Sequence, residues 1–311
     1  MTKAKASLQR HNRLFLLVAV LVIATVISRG VFIRPTNLIL VMASAAAFGL
    51  VSFGQALVVI GGGFDLAVGS LVAMSISGIV FFRSDFGILG GTIGALAAAL
   101  VAGLISGLAV SRTKIPPFIV TLGMLSVADS MAWIVAAGQP ITVPEYNDAI
   151  SPLFESFLLG EDVFPIIVLV LGFVATSLLL HRNKWGRYIY AIGDNEPAAR
   201  IAGMPVIRTK LLCYGLSGFL CAASAIIYLH QNISATPGEG ADLLLSFAAT
   251  ILGGVYMYGG DGTIPGVLVG VICLASITSA LTIAGVSPSI YQGVLGVIVL
   301  AVVLVQARIR K

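Results

Sequence analysis

Charge is what this 311-residue sequence has least of. Asp, Glu, Lys and Arg make up 10% of it, against 58% hydrophobic residues and a mean hydropathy of +1.05. A soluble domain carries about a quarter charged residues, so too few are present to cover a surface facing water. Soluble enzymes, nucleic-acid binders and disordered tails are excluded on that ground. Cysteine is also scarce. Cys213, Cys221 and Cys273 all lie within apolar runs, and the first two stand eight residues apart on one predicted helix, about 12 Å along its axis. That is too far for a disulfide, so a secreted disulfide scaffold is excluded and the three thiols are apolar filler. Tryptophan occurs twice; a β-barrel would show aromatic girdles and alternating ten-residue segments, and neither is found. The three histidines, His11, His181 and His230, have no metal-ligand spacing. No histidine is placed as a base for Ser106, so an intramembrane hydrolase lacks its second group. Nor does the chain contain a Gly-x-x-x-x-Gly-Lys-Ser/Thr phosphate loop.

Long apolar runs are what the sequence has instead. They lie near 14–28, 38–60, 66–82, 87–110, 117–138, 163–180, 211–230, 243–257, 264–283 and 289–306, and about 20 such residues cross a bilayer as a helix. Thirty-five glycines suit helices whose backbones approach closely in lipid. The expected fold is therefore all-α, a polytopic membrane protein of about ten transmembrane helices. The basic stretch 1–13 before the first run is similar to a signal peptide, but no small-residue cleavage site follows, and an uncleaved first helix is expected. The weak points of the count are 38–82 and 243–283, where glycine-rich breaks separate or interrupt spans.

Orientation follows from Lys and Arg, which are retained on the cytoplasmic side. With ten spans and a cytoplasmic N-terminus, 15 of the 18 basic residues fall in cytoplasmic segments; Arg29, Arg34 and Arg83 are the exceptions. The predicted external segment 139–162 has no base and five acids, Glu145, Asp148, Glu155, Glu161 and Asp162. Both termini are thus expected in the cytoplasm, and the formal charge of +5 reports topology and not a nucleic-acid partner.

Two segments outside the spans are long enough to act. The external one, 139–162, is either a solvated connection or an interfacial element that docks a partner. The cytoplasmic one, 181–210, contains a short helix written between stop signals. Asp194 reads as its N-cap, with Asn195 beside it, Glu196 in the first turn and Pro197 where a missing N–H is tolerated. Arg200 lies near the C-terminal end, Gly203 can take the left-handed stop and Pro205 prevents continuation. So short a helix is unstable alone in water. Its small face of Ala198, Ala199 and Ala202, with Ile201 and Met204, either packs on the protein's own helix ends or is presented to a separate subunit.

The run Trp185-Gly186-Arg187-Tyr188-Ile189-Tyr190-Ala191-Ile192-Gly193-Asp194-Asn195-Glu196-Pro197-Ala198-Ala199-Arg200-Ile201-Ala202-Gly203-Met204 resembles the cytoplasmic coupling loop of bacterial ABC importer permeases of the ribose/xylose/arabinose/galactoside type. Gly61-Gly62-Gly63-Phe64-Asp65-Leu66-Ala67-Val68-Gly69-Ser70 resembles that family's Gly-Gly-x-Asp-Leu-Ser-Val-Gly-Ser motif, and Ile115-Pro116-Pro117-Phe118-Ile119-Val120-Thr121-Leu122-Gly123-Met124 its Pro-x-Phe-Ile-x-Thr-Leu segment. Leu252-Gly253-Gly254, Gly259-Gly260-Asp261-Gly262-Thr263 and Gly285-Val286-Ser287 follow at family-like intervals. The resemblance covers nearly the whole chain and implies one permease domain, 1–311, in the bacterial inner membrane. It implies no catalytic residue, no cofactor and no metal. Cytoplasmic ATPase subunits, a periplasmic substrate-binding protein and a second permease copy or paralogue complete such systems. The coupling role falls to Asp194, Asn195, Glu196, Ala198, Ala199, Arg200 and Gly203; external contacts with the binding protein fall to 139–162 and 231–243.

The glycine-rich breaks leave two readings open: tight turns in water, or unwound backbone buried at membrane depth, which is tolerated only inside protein or along a cavity. Pathway or gate candidates are Gly61, Gly62, Asp65, Gly69 and Ser70 in the first break, and Gly253, Gly254, Gly259 and Gly260 in the second. Asp65 and Thr263 read as N-caps of the helices that follow. Asp129, the sole acid deep in a predicted span, costs about 2.5–3.5 kcal/mol to insert at a helix centre. It is a pathway residue or an interhelical partner, unless it lies near enough to the surface to stay wet. Gln55, Thr121, Asn232 and Gln292 are weaker polar candidates. The family's Glu-Leu-Asp pair is replaced here by Leu243 and Leu245, and Ala67 stands where Ser is usual.

The expected function is therefore import of a monosaccharide or similar small polar solute, driven by ATP hydrolysed in another chain. The same architecture carrying branched-chain amino acids, nucleosides or a furanosyl signalling molecule is one alternative. An ion-coupled carrier working alone is another, and it would call for more buried acids than Asp129.

Overall fold

The computed structural model describes residues 3–142, 163–232, 234–235 and 243–287, with Ile290, Gly293, Val294, Gly296, Val297 and Leu300. The regular structure of the described residues is helical apart from one two-residue strand pairing. Its elements are α1 (Lys3–Ile27), α2 (Pro35–Ile60), α3 (Val68–Arg112), α4 (Pro117–Val135), β1 (Ile141–Thr142), α5 (Val163–Arg182), α6 (Lys184–Asp194), α7 (Glu196–Ile201), α8 (Val206–Gln231), β2 (Ser234–Ala235), α9 (Leu243–Leu252) and α10 (Ile264–Ile283). Among the described residues, α2, α3, α4, α5, α8 and α10 are long and apolar enough to cross a membrane. Most of the predicted run 289–306 and most of 139–162 lie outside the described residues.

Two elements differ from the simple sequence of runs. At 45 residues, α3 would be far too long for one span, and Gly87 (φ 70°, ψ −178°) reverses it. Its halves then face each other: a methyl on Gly78 would touch Ala95 at 3.6 Å, and one on Gly94 would meet the Phe82 ring at 2.6 Å. The runs 66–82 and 87–110 are thus the two legs of a hairpin. By contrast, the run 243–257 is helical only as far as Leu252, ten residues or about 15 Å. Gly254 at φ 82° ends it: the Gly254 N–H donates to the Ile251 carbonyl at 2.8 Å and the Val255 N–H to that of Thr250 at 3.2 Å. This is a Schellman stop.

Helix α2 is the axis of the bundle. Of its most apolar window 89% is buried, against 17% for α4 and 28% for α5, so α2 is surrounded while α4 and α5 lie at the rim. Around it pack α5, α8, α9 and α10, and α8 packs in turn on the α3 hairpin. Small residues allow the last of these contacts: Cβ atoms on Gly103 and Gly218 would overlap the carbonyl oxygens of Tyr214 and Ala99. Large apolar side chains remain exposed on the outside, among them Phe15, Val26, Phe86, Leu89 and Ile134 at 70% or more. Such a surface suits hydrocarbon and not water.

At one end of the bundle β1 and β2 pair antiparallel, Ile141 opposite Ala235 and Thr142 opposite Ser234. The two segments expected to form the external contacts are therefore stitched to each other. The α1–α2 corner (28–34) and the end of α10 lie toward this side. The α2–α3 break, α6, α7 and the α9–α10 link lie at the other.

Candidate functional site

The helix written into 194–203 forms, shifted by one residue at its start. Asp194 is not the N-cap; it ends α6, because the Asn195 N–H still donates to the Ala191 carbonyl at 3.1 Å. Asn195 is the cap instead. Its backbone is extended (φ −155°, ψ 91°) and its side-chain oxygen accepts from the Ala198 N–H at 3.0 Å. At the other end Gly203 takes φ 75°; its N–H and that of Met204 donate to the Arg200 and Ala199 carbonyls at 3.1 and 3.0 Å. The stop is the one the sequence predicts.

One side of this helix packs on the protein's own helix ends, and the opposite side is exposed. Ala199 is buried, at 4%, in a small core with Ile192 and Val206, joined by Tyr188 and Met204. Asp194, Asn195, Ala198, Arg200, Ala202 and Gly203 are exposed, and Ile201 is 89% exposed. Glu196 anchors the helix to α8: its Oε2 accepts from Lys210 Nζ at 2.6 Å and its Oε1 from Arg200 at 2.9 Å. Burial alone would raise its carboxyl; the hydrogen bonds and charges of Lys210 and Arg200 outweigh that and hold it below its ordinary value of 4.5.

The start of α6 is a tight corner. Asn183 caps it, accepting from the Trp185 N–H at 3.3 Å, and a side chain on Gly186 would overlap the Leu180 carbonyl. Its end is tighter still. A Cβ on Gly193 would fall within the Ile60 carbonyl oxygen and 2.7 Å from the Gly260 nitrogen. One on Gly259 would lie 2.7 Å from the Gly193 oxygen and 2.8 Å from the Gly62 Cα; one on Gly260 would lie 2.8 Å from the Asp194 Cα. The Gly260 N–H donates to the Ile60 carbonyl at 2.9 Å. Tyr190 adds a tie, its hydroxyl donating to the Gly262 carbonyl at 2.6 Å. Burial, with the Asp261 carboxylate adding to it, pushes that phenol up to about 12, so it remains a donor. Three separate stretches of chain, the end of α2, the end of α6 and the α9–α10 link, are thus pressed together backbone to backbone.

The first glycine break is clamped from two further helices. Phe64 is held by Tyr214 of α8, whose hydroxyl donates to the Phe64 carbonyl at 3.1 Å and accepts from its N–H at 3.3 Å. Thr121 of α4 accepts from the Leu66 N–H at 3.1 Å and donates to the Phe64 carbonyl at 3.4 Å. Asp65 is 2% exposed and does not cap α3. Ala67 holds the cap position without a side-chain bond. The Asp65 Oδ1 accepts from the Ala67 N–H at 3.0 Å, an Asx turn, and its Oδ2 accepts from Ser217 at 3.1 Å. The carboxylate is turned inward by α8. Ser217 lies seven residues past Lys210, about 10 Å deeper along α8. The Gly62 and Gly63 N–H groups donate to the Val59 and Val58 carbonyls, both at 2.9 Å, so α2 ends in a Schellman turn with Gly62 exposed, and Asp65, Ala67 and Val68 after it are buried. Gly69 is in the first turn of α3, where the Ser70 hydroxyl donates to the Ala67 carbonyl at 2.9 Å. In the second break Gly253 lets α9 meet α10, its missing Cβ position being 2.5 Å from the Val267 Cα. Thr263 caps α10 as expected, accepting from the Gly266 N–H at 3.2 Å.

Comparison with known sequences identifies the type of protein. The family model described as "Branched-chain amino acid transport system / permease component" matches residues 37–303. The chain belongs to this permease family. The ribose import permease protein of Bacillus subtilis (strain 168) is 37% identical to it over 94% of this chain and 92% of that one. The fructose import permease protein of Rhizobium meliloti is 33% identical over 96% and 85%, and the L-arabinose ABC transporter permease protein of Azospirillum brasilense 30% identical over 96% and 89%. The chain is a transport subunit, a multi-pass membrane permease.

Not every predicted residue joins the permease's node. Asp129 is half-buried on α4, eight residues or about 12 Å from Thr121. Gln55 is fully buried in α2 and neither amide atom has a partner among the described residues. The Asn232 amide donates to the Tyr228 carbonyl at 3.1 Å, and Gln292 lies outside the described residues. Among the described residues no three of His, Cys, Asp and Glu group as a metal site. Tyr190, Gly193, Lys210, Tyr214 and Ser217 carry the node and its clamp without having been singled out. For Tyr214 and Ser217 the available signal was a hydroxyl within an apolar run.

Proposed function

We propose that this permease is the membrane subunit of an ATP-driven importer of a monosaccharide. Similarity over nearly its full length to ribose, fructose and arabinose permeases supports the substrate class. Ten spans with both termini in the cytoplasm of a bacterial cell, in the inner membrane, remain the arrangement that the distribution of Lys and Arg favours. Two copies, or this chain and a paralogue, enclose the pathway; the acidic 139–162 segment and the chain around β2 receive the periplasmic binding protein.

The observation that carries the mechanism is the backbone node at Gly62, Gly193, Gly259 and Gly260. The exposed side of α7, Asn195, Ala198, Arg200, Ile201 and Ala202, seats in a cytoplasmic ATPase subunit. Its inner side, with Ala199 buried and Glu196 half-buried, is fastened to α8. When nucleotide draws the ATPase subunits together, α7 moves, and α6 moves with it. Since Gly193 abuts both breaks without intervening side chains, displacement of α6 has no soft layer in which to dissipate. It reaches the ends of α2 and α9, where the helices are already interrupted. Access then changes from one face of the membrane to the other. No covalent step occurs in this chain.

The test is uptake of ribose, fructose and arabinose into proteoliposomes holding the full complex of permease, ATPase and binding protein. ATP-dependent accumulation of one of them is expected. Uphill uptake by the permease alone, driven by an ion gradient, would overturn the reading, as would loss of neither ATPase association nor uptake on deleting 194–203.

A further inference from the structure

The end of the bundle away from α7 carries a feature that transport coupling does not use. Between α1 and α10 lies a cavity of about 180 Å³ lined by Val20, Ile23, Ala24, Ile27, Ile277 and Leu281, with almost no polar wall. Its α1 rim is open: Ile23 is 56% exposed and Ile27 47%. A sugar would find no hydrogen-bonding partner there. Two residues beyond Ile27 stands Arg29, and Arg34 follows in the same short corner. Both are exposed, and neither side chain makes an ion pair or hydrogen bond among the described residues. They are also two of the three basic residues that violate the charge asymmetry of the chain.

Arg29 is, in addition, held in an unfavourable backbone conformation. It sits at φ 51°, where helix α1 ends in a Schellman pair: the Gly30 N–H donates to the Thr25 carbonyl at 2.9 Å and the Arg29 N–H to the Val26 carbonyl at 3.1 Å. That left-handed position is usually glycine, and a non-glycine residue persists there only when something else holds it. Two exposed arginines in the corner that follows the cavity-lining end of α1 match the chemistry of a phosphate above an acyl chain.

We propose that this corner is a binding site for one anionic phospholipid, its headgroup phosphate on Arg29 and Arg34 and one acyl chain in the α1–α10 cavity. With α7 facing the cytoplasm, the lipid belongs to the outer leaflet of the membrane. The site is independent of the coupling role of α7 and stands or falls separately from it.

The experiment places the full chain in nanodiscs of phosphatidylcholine with and without phosphatidylglycerol of the same acyl chains, and counts retained lipid by native mass spectrometry. One phosphatidylglycerol per chain is expected to be retained over phosphatidylcholine. Each arginine near an anionic surface is worth about a factor of five, so Arg29→Gln with Arg34→Gln lowers retention roughly 25-fold. Ile23→Trp, which fills the cavity from its open rim, lowers retention while both charges remain. Arg29→Gly separates binding from architecture: relieving the backbone raises the melting temperature in phosphatidylcholine, yet phosphatidylglycerol retention falls about fivefold. Glycerol phosphate in solution does not displace the lipid. Unchanged retention in the double arginine variant or in Ile23→Trp overturns the proposal. Displacement by glycerol phosphate also overturns it, since the acyl cavity would then contribute nothing. So does loss of binding-protein docking in the arginine variants with lipid retention intact, which would make the corner a protein contact.

Discussion

Adding a single methyl group at Gly193 is the sharpest perturbation of the coupling path. The Cβ of an alanine there would overlap the Ile60 carbonyl oxygen and approach the Gly260 nitrogen to 2.7 Å. Neither neighbour is a side chain that can rotate away, so the end of α6 must part from the end of α2. Overpacking of this kind costs about 1–3 kcal/mol. Stretching the 2.9 Å bond from the Gly260 N–H to the Ile60 carbonyl forfeits a further ~0.5–1.5 kcal/mol. The total, about 1.5–4.5 kcal/mol by these ranges, falls at a contact between elements and not in the core of α2. Gly193→Ala is therefore expected to insert and to bind the ATPase subunits, to lower the melting temperature modestly, and to lower transport far more than ATP hydrolysis. The assay is ATP consumed per sugar accumulated in proteoliposomes of the full complex, with ATPase association measured on the same preparation. Gly138→Ala is the control. Its added methyl meets nothing within 4 Å, though its φ of +72° imposes about 1–2 kcal/mol of local strain. An unchanged ratio of hydrolysis to uptake in Gly193→Ala, with the melting temperature also unchanged, would refute the idea that this contact transmits motion.

Ile201→Glu should leave the fold intact, since the side chain is 89% exposed, and weaken ATPase association at least about fivefold if it is a buried anchor of the complex; a pull-down or light-scattering titration reads this. Ser217→Ala leaves one Asp65 oxygen without the donor that meets it at 3.1 Å, a loss of about 1–3 kcal/mol for a buried acceptor, visible as a lower melting temperature with α7 docking unaffected. Glu196 gives a pH signature. Its carboxyl is held below 4.5 in the folded chain, so its contribution to α7 docking is fully present above that ordinary value and is lost as pH falls through the depressed one. Hydrogen-exchange protection of 196–204, each rate taken relative to the intrinsic rate at that pH, should hold down to pH 4.5 and fall below it, and Glu196→Gln should abolish the step. The size is only a few tenths to about 1 kcal/mol, because the pair is partly exposed and screened.

How far the molecule could be read from its sequence depended on which atoms carried the message. The stop at Gly203, the cap at Thr263 and the reversal between 82 and 87 are local, and their residues announce them. Asp194 and Asn195 both suit an N-cap, and only the course of α6 decides between them. Asp65 looked like a cap because carboxylates cap helices; α8 supplies Ser217 and turns it into an internal acceptor, which a one-dimensional pattern does not contain. The small face of α7 left two packings open; Ala199 turns inward onto the protein itself, while Ile201 is left exposed. The node was beyond reach for a simpler reason. Gly62, Gly193, Gly259 and Gly260 come from three distant stretches, and a glycine required by a neighbouring backbone looks the same in sequence as one required by a turn.

Because the closest approaches in the node are between main-chain atoms, the usual survey of function by trimming side chains to alanine would pass over its glycines. These have nothing to trim. Only substitutions that introduce bulk can interrogate such a joint.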